Sequence, residues 1–460
     1  VCEIGHQAVQ NLADLGTLLP GLAIDAAAIT APHIGTSEKP GPMTMTDRLE
    51  TKALRFQELV EDVFRDAQGL IRGSLHQATR RVWRAEYFDA TRDVLRAPGL
   101  PQPEVWWAYE QTNITQGFYL LSLVYQHRVT GAAQTLKLAQ RTFDAIRRVY
   151  QLAPETEGET RSRERGFLPK PYGGRLSQET HPDQYFPVAL GLAAYSELAS
   201  PQERSMIGEM LTRCADFWIR SQYRLVYFGV PISINGRTRL NLLPLFGLAY
   251  KFSADNHYRD ELLKQLAGIA PLLPLFDGAN PPDRVRSPFG RYFGWFLAVG
   301  YLLQEGYLAR ESGEKLLYDY WRAAKATIAD DGMCYADVTY DLKEDRFYLP
   351  QTGYSQVPLF EDRILWDFVY WVGHLKSAFG TAGLAAAAVM VQQYLPQLEA
   401  IREARRALTR VREEDLASYI DDEGGQLDPR HTWLTEDFRS DAAALWLLAY
   451  WSGRDQGFWE

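Results

Sequence analysis

Between residues 47 and 451 the chain alternates two kinds of helical segment, and the links between them alternate in length as well. Segments 104–129, 183–198, 239–252, 290–305, 363–379 and 437–451 carry aromatic, glycine and small residues on most faces. Segments 47–70, 133–152, 201–222, 257–270, 311–328 and 381–395 carry charge on one face only. A helix apolar all round is buried, whereas an amphipathic helix faces water on one side. Links from a buried segment to the next amphipathic one are short ("VTGAA", "ASPQ", "FSADNH", "FGT"), and the return links are long: 153–182, 223–238, 271–289, 330–362 and 412–436. Short links make antiparallel neighbours, and repeated hairpins bury their apolar faces only against one another. The pattern predicts an all-α (α/α)6 toroid of six helical hairpins, with the buried helices as an inner barrel and every long link on one face. "GFYLLSLVYQHRVTG", "FPVALGLAAYSELAS", "LLPLFGLAYKFSAD" and "GWFLAVGYLLQEG" are variations on one helix-and-stop theme. Strands are expected only around 224–234, as a short hairpin or irregular loop.

Long links inside a compact domain are usually functional, and here they meet the N-termini of the inner helices. That face collects Glu110, Gln111, Asn113 and Thr115; Glu179, His181, Asp183, Gln184 and Tyr185; Arg237, Arg239 and Asn241. It continues with Arg286, Arg291 and Tyr292; Glu361, Asp362, Arg363, Trp366 and Asp367; and Asp437, Arg439 and Asp441. Cations are disfavoured at the positive end of a helix dipole, yet four of the six expected starts carry an arginine. Such arginines either pair with neighbouring carboxylates or converge on a substrate anion.

Among the carboxylates, Asp183 stands out because His181 and Tyr185 flank it at the barrel mouth. It is either a first-turn cap or a general acid or base, with Glu110 and Glu179 as possible catalytic partners. Glycosidic hydrolysis commonly uses two Asp or Glu groups about 5 to 9 Å apart. The expected substrate contacts are His181, Tyr185, Gln111, Arg239, Arg291, Tyr292, Asp362, Arg363 and Trp366. His181 is otherwise a base for lyase or epimerase chemistry, or a loop hydrogen-bonder. His374 reads as a core residue.

Composition narrows the rest. Hydrophobic residues at 46% and charged residues at 23% suit a globular protein, and no apolar run nears the roughly 18 residues that span a bilayer. A formal charge of −9 argues against a nucleic-acid face, which has to be basic. Twelve Trp and 25 Tyr suit a cleft that stacks on sugars as well as a large core. Three distant cysteines, Cys2, Cys214 and Cys334, form neither a disulfide framework nor a metal motif. "DDGMCYADVTYDLKED" lacks the alternating ligands of a calcium loop, and no phosphate-cradling or zinc-binding motif occurs, so neither metal nor cofactor is expected. Residues 1–45, with Pro32, Pro40 and Pro42, read as an extended arm before a catalytic domain at 46–460; a leader preceding Val1, and a cytoplasmic or periplasmic location, both stay open.

"YEQTNITQGFYLLSLVYQHRVTG" resembles the first inner helix of the six-hairpin glycosidase-like superfamily, including its "GF" pair and closing "TG". "HPDQYFPVALGLAAYSEL" resembles the second. Within that superfamily the similarity is nearest to the unsaturated glucuronyl hydrolases and related uronidases. The resemblance implies a catalytic aspartate at Asp183 and a glycoside hydrolase acting on uronic-acid-containing oligosaccharides, without a cofactor. Thr115 stands where those enzymes carry a further functional aspartate, so an ordinary uronidase pairing Asp183 with Glu110 is expected rather than hydration of an unsaturated uronide. The rivals are a polysaccharide lyase with Tyr185 or His181 as base, and a non-catalytic carbohydrate-binding toroid.

Overall fold

The computed structural model describes residues 45–84, 103–152, 166–174, 177, 179–227, 230–234, 236–275, 284–341, 346–348, 353–360, 363–370, 375–422 and 434–459. The chain divides into two units after Asp47, and the second, Arg48–Glu460, holds the helical ring. Nearly all of the arm expected over 1–45 lies outside the described residues.

In chain order the helices are α1 (Met45–Glu58), α2 (Pro103–Tyr109), α3 (Thr112–Thr130), α4 (Ala133–Leu152), α5 (Pro182–Tyr195), α6 (Pro201–Arg220), α7 (Leu243–Ser253), α8 (Asn256–Ile269), α9 (Phe289–Gln304), α10 (Arg310–Lys325), α11 (Ala378–Tyr394), α12 (Ala400–Arg410) and α13 (Ser440–Asp455). Helices α3, α5, α7, α9, α11 and α13 each pack on the next, and α13 packs back on α3. That closes the inner ring. Helices α4, α6, α8, α10 and α12 lie outside it, and a π-helical turn, Leu59–Phe64, which continues α1, covers α13 as the sixth outer element.

The two layers differ as the residue patterns require. Helix α13 is buried along nearly its whole length, while α12 buries only Ala400, Ala404, Ala407 and Leu408, one stripe at helical spacing. Sharp ends keep the hairpins tight. Gly131 closes α3 in the left-handed conformation at φ 62°, and Ser200 with Glu203 forms a capping box on α6. The inner helices run parallel and touch backbone to backbone: a Cβ built on Gly117 of α3 falls 2.3 Å from the Pro187 carbonyl carbon of α5, and one on Gly191 falls 2.6 Å from the Gly117 oxygen.

The links hold more strand than the pattern foresees. The expected hairpin forms from β2 (Arg224–Tyr227) and β3 (Val230–Ser233). In addition β1 (Ser74–His76) pairs antiparallel with β12 (Asp437–Arg439), with Ser74 opposite Arg439. A three-stranded sheet joins β4 (Arg284–Pro288), β6 (Asp337–Asp341) and β7 (Arg346–Tyr348), and a second places β10 (Leu375–Ser377) between β5 (Cys334–Tyr335) and β11 (Ile420–Asp421). Strands β8 (Gly353–Phe360) and β9 (Arg363–Tyr370) form a long hairpin.

This last hairpin corrects the fifth unit. Segment 363–379 is not the inner helix: "RILWDFVY" is strand β9, and the inner helix is α11, which opens on the Ser377 side-chain cap. The segment expected outside, 381–395, therefore lies inside, and α12 takes the outer place. The reason is compositional. An aromatic and β-branched run suits a pleated strand, and "AFGTAGLAAAAVM" has no charged face to put in water. Smaller corrections share that logic: 104–129 breaks between α2 and α3, 239–242 is part of a 3-10 turn spanning Gly236–Leu242, and 437–439 is β12 rather than helix.

Candidate active site

Helices α3 and α9 stand opposite each other in the ring of six, and Phe118 and Phe293 meet across it with ring centroids 5.3 Å apart. This pair closes the barrel axis. Mouthward of it lie the first turns of the inner helices and the described parts of the links that enter them.

Asp183 lies in the first turn of α5, where backbone N–H groups and the helix dipole favour a negative charge. Its Oδ2 is 3.0 Å from His181 Nδ1, and its Oδ1 accepts from Gln184 Nε2 at 3.2 Å. Burial raises its carboxyl pKa, but the His181 charge and hydrogen bond, the nearby Lys170 charge and the Gln184 donor outweigh burial and bring it down to about 2. Although protein surrounds the carboxylate, the Asp183 side chain keeps 44% of its exposure and His181 keeps 27%. The pair is both ionic and reachable.

A second charged group supports the first. Lys170, in the link before α5, forms a buried ion pair with Glu110, and its backbone N–H donates to the Glu179 carbonyl at 2.9 Å. On the neighbouring side Arg439 clasps Asp441 (Nη2 to Oδ2 2.6 Å, Nε to Oδ1 3.2 Å) and reaches Asp437 at 3.5 Å. Burial pulls the Arg439 guanidinium down, but Asp441, Asp437 and, farther off, Glu110 hold it well above the ordinary arginine range. Asp437 also accepts from Ser418 Oγ at 2.5 Å, from Trp107 Nε1 at 3.0 Å and from Ser74 Oγ. Charge therefore alternates around this side of the mouth, from Asp183 through Lys170 and Glu110 to Arg439 and Asp441.

The expected site residues sort by this geometry. Asp183, His181 and Glu110 come together at the mouth, and Glu179 is buried beside the Lys170 backbone. Gln111 is at the start of α3, its Oε1 buried without a hydrogen-bond partner among the described residues. Tyr185 is corrected: it is 1% exposed, its hydroxyl accepts from Leu168 N–H and donates to the Gly166 carbonyl, and its ring packs on Trp218, so it belongs to the wall. Arg239 is corrected as well. Its Nε donates to the Ile234 carbonyl, its Nη1 to Gln265 of α8, and its guanidinium lies over Tyr223, which commits it to the wall rather than to an anion clamp. Arg363 and Trp366 lie on β9, so Arg363 opens no helix. The side chains of Arg291, Tyr292, Arg363 and Trp366, and the whole of Asp362 and His374, lie outside the described residues.

Lys170 escaped the sequence reading, and its setting between two prolines, "PKP", was the available signal. Among the described residues no group of three or more His, Cys, Asp or Glu is placed to hold a metal ion, and no helix is long and apolar enough to cross a membrane.

No family model matches the chain, and neither does any curated protein. Solved structures do. Cellobiose 2-epimerase from Bacillus thermoamylovorans superposes with a TM-score of 0.52 at 12% identity, over 88% of this chain and 97% of that one. The chain has the six-hairpin glycosidase-like fold. Other six-hairpin structures align with lower scores: a possible GH105 member from Klebsiella pneumoniae (TM-score 0.49, 14% identity, 94% and 100% of the two chains) and an unsaturated glucuronyl hydrolase variant from Streptococcus agalactiae (0.48, 13%, 90% and 92%).

Proposed function

We propose that the protein is a carbohydrate-active enzyme whose reaction turns on one proton handled by the His181–Asp183 pair. The observation that carries this reading is the 3.0 Å contact between an accessible imidazole and a carboxylate brought down to about 2. A carboxylate held that low is a weak base, and histidine is the side chain most often used for general-base proton transfer. The base is then His181. Asp183 orients the ring through Nδ1 and stabilises the imidazolium that forms, the division of labour of a carboxylate that backs a histidine. Such a pair suits removal and return of a proton at a carbon beside a sugar carbonyl, as in epimerisation or isomerisation, and the six-hairpin likeness to a cellobiose 2-epimerase agrees with it. The test is incubation with reducing disaccharides in deuterium oxide. Deuterium entering a C–H position beside the carbonyl supports the reading, and loss of that exchange in His181→Ala completes it; substrate consumed without any C–D signal overturns it.

A second reading is a glycoside hydrolase on acidic oligosaccharides. What favours it is the same ionised and accessible Asp183, one of the two carboxyls that such hydrolysis uses, the other acting as the acid. Glu110 fits that acid role less well, because Lys170 occupies it. New reducing ends in the same incubation identify this alternative.

A further inference from the structure

His181 is the cap residue just before α5, and its ring nitrogen Nδ1 faces two groups of a single neighbour. The Asp183 backbone N–H approaches it at 3.4 Å, in the manner of a helix cap, and Asp183 Oδ2 lies 3.0 Å away. A neutral imidazole has one N–H and one bare nitrogen, so Nδ1 cannot accept from the first group and donate to the second at once. The two contacts require opposite tautomers.

Their strengths decide between them. At 3.4 Å the cap bond is long, whereas a hydrogen bond to an ionised carboxylate is about twice as strong as one between neutral groups. With Nδ1 bare, its lone pair would face an anionic oxygen at 3.0 Å. Nδ1 therefore carries the proton for as long as Oδ2 stays in place. Asp183 itself can swing away, because its side chain keeps 44% of its exposure. The Lys170 charge acts on the carboxylate as a whole and gives it no preferred rotation. The remaining described contact comes from Gln184, whose Nε2 donates to Oδ1 at 3.2 Å. Gln184 follows Asp183 on α5 and is fully buried, so it grips one carboxylate oxygen from the protein side and leaves the other to His181. Only the nitrogen end of its amide can face an ionised carboxylate.

We infer that Gln184 is a positioning residue for the His181–Asp183 pair: by anchoring Asp183 Oδ1 it gives Oδ2 to His181 Nδ1, selects the Nδ1–H tautomer, and leaves the lone pair on Nε2 to take the substrate proton. The inference rests on the reading of His181 as the base, and it names the atom that acts. As the proton arrives on Nε2 the C–H electron pair moves toward the sugar carbonyl oxygen, and it moves back when the proton returns. The bare nitrogen of a working histidine is set by the hydrogen bond at the other one.

The test is nitrogen-15 NMR of the His181 ring, assigned by the signals lost in His181→Ala, with deuterium exchange into sugar measured beside it. Spectra are taken at a pH high enough that the ring shifts no longer move. Wild type should show a protonated Nδ1 and a bare Nε2. Asp183→Ala should invert this, since Nδ1 then returns to the helix-cap bond. In Gln184→Met the Nε2–H form should outnumber the other about ten to one, and exchange should fall about tenfold in kcat at unchanged KM, in proportion to the competent tautomer. Gln184→Asn, which draws the amide back by one methylene, should change the ring in the same direction and replaces Gln184→Met should that variant not fold. A bare Nδ1 in wild type, or a folded Gln184 variant that keeps the wild-type tautomer, overturns the proposal. Tautomers that change as expected in a protein that exchanges no sugar proton leave the anchoring of Asp183 standing and remove only the catalytic reading.

Discussion

The contact between α3 and α5 is where the structure makes its sharpest mechanical claim. In Gly117→Ala the new methyl carbon would sit 2.3 Å from the Pro187 carbonyl carbon, 2.5 Å from the Val188 nitrogen and 2.6 Å from the Pro187 oxygen, against an ordinary contact distance of 3.4–4 Å. All three obstacles are backbone, so the helices have to separate by about an ångström. Overpacking of this kind costs about 1–3 kcal/mol or more, and the better helix propensity of alanine returns only about 1 kcal/mol. The net expectation is a loss of about 0–2 kcal/mol or more, read as a lower urea midpoint. Gly268→Ala is the control. That glycine is inside α8 with nothing within 4 Å of the place its Cβ would take, so the same substitution should raise stability by about 0.5–1 kcal/mol. Because the clash lies one turn below Asn113 and Asp183, Gly117→Ala should also lower turnover by up to about 100-fold, the scale associated with a 1 Å misplacement. Equal midpoints for the two variants would refute the close-packed parallel register of α3 and α5.

Lys170→Met should destabilise by about 3–5 kcal/mol, since it strands the buried Glu110 charge, and adding Glu110→Gln should recover most of the loss in a denaturant titration. Ser200→Ala removes the α6 capping box and should cost about 1 kcal/mol by the same measurement. The Asp183 carboxyl is depressed in the fold, so its contribution is present above the ordinary carboxylate range near 3.9 and is lost as pH falls through about 2. Wild type and Asp183→Asn, compared by acid denaturation, should differ at pH 5 and converge between about pH 4 and pH 2; a difference that persists unchanged at pH 2 would remove the ion pair from the account.

Much of the architecture is legible in the residues because a toroid is a periodic object. Alternation of all-round apolar and one-sided helices, with alternating link lengths, is enough to order the hairpins. It failed where two periods compete. The run "RILWDFVY" is apolar enough for a buried helix and aromatic enough for a strand, and only tertiary pairing with β8 decides between them. Asp183 and His181 were readable as a candidate pair because two ionisable groups two residues apart open a helix. The role of each was not, since that depends on Lys170 and Gln184, whose approach no local pattern encodes. The arginines misled for a related reason. Position at a helix start says nothing about which way a long side chain turns, and Arg239 turns toward Gln265 on the outer layer.

The ring is sealed by its ends. Ser74 pairs with Arg439 across β1 and β12, and α13 slots between α11 and α3, the former made shortly before it and the latter more than 300 residues earlier. A ribosome making this chain therefore releases five staves with two bare apolar flanks, and the barrel shuts only when the final one arrives. Helix α13 acts as a keystone: trimming a few turns from it should leave an open, adhesive horseshoe instead of a slightly shorter ring.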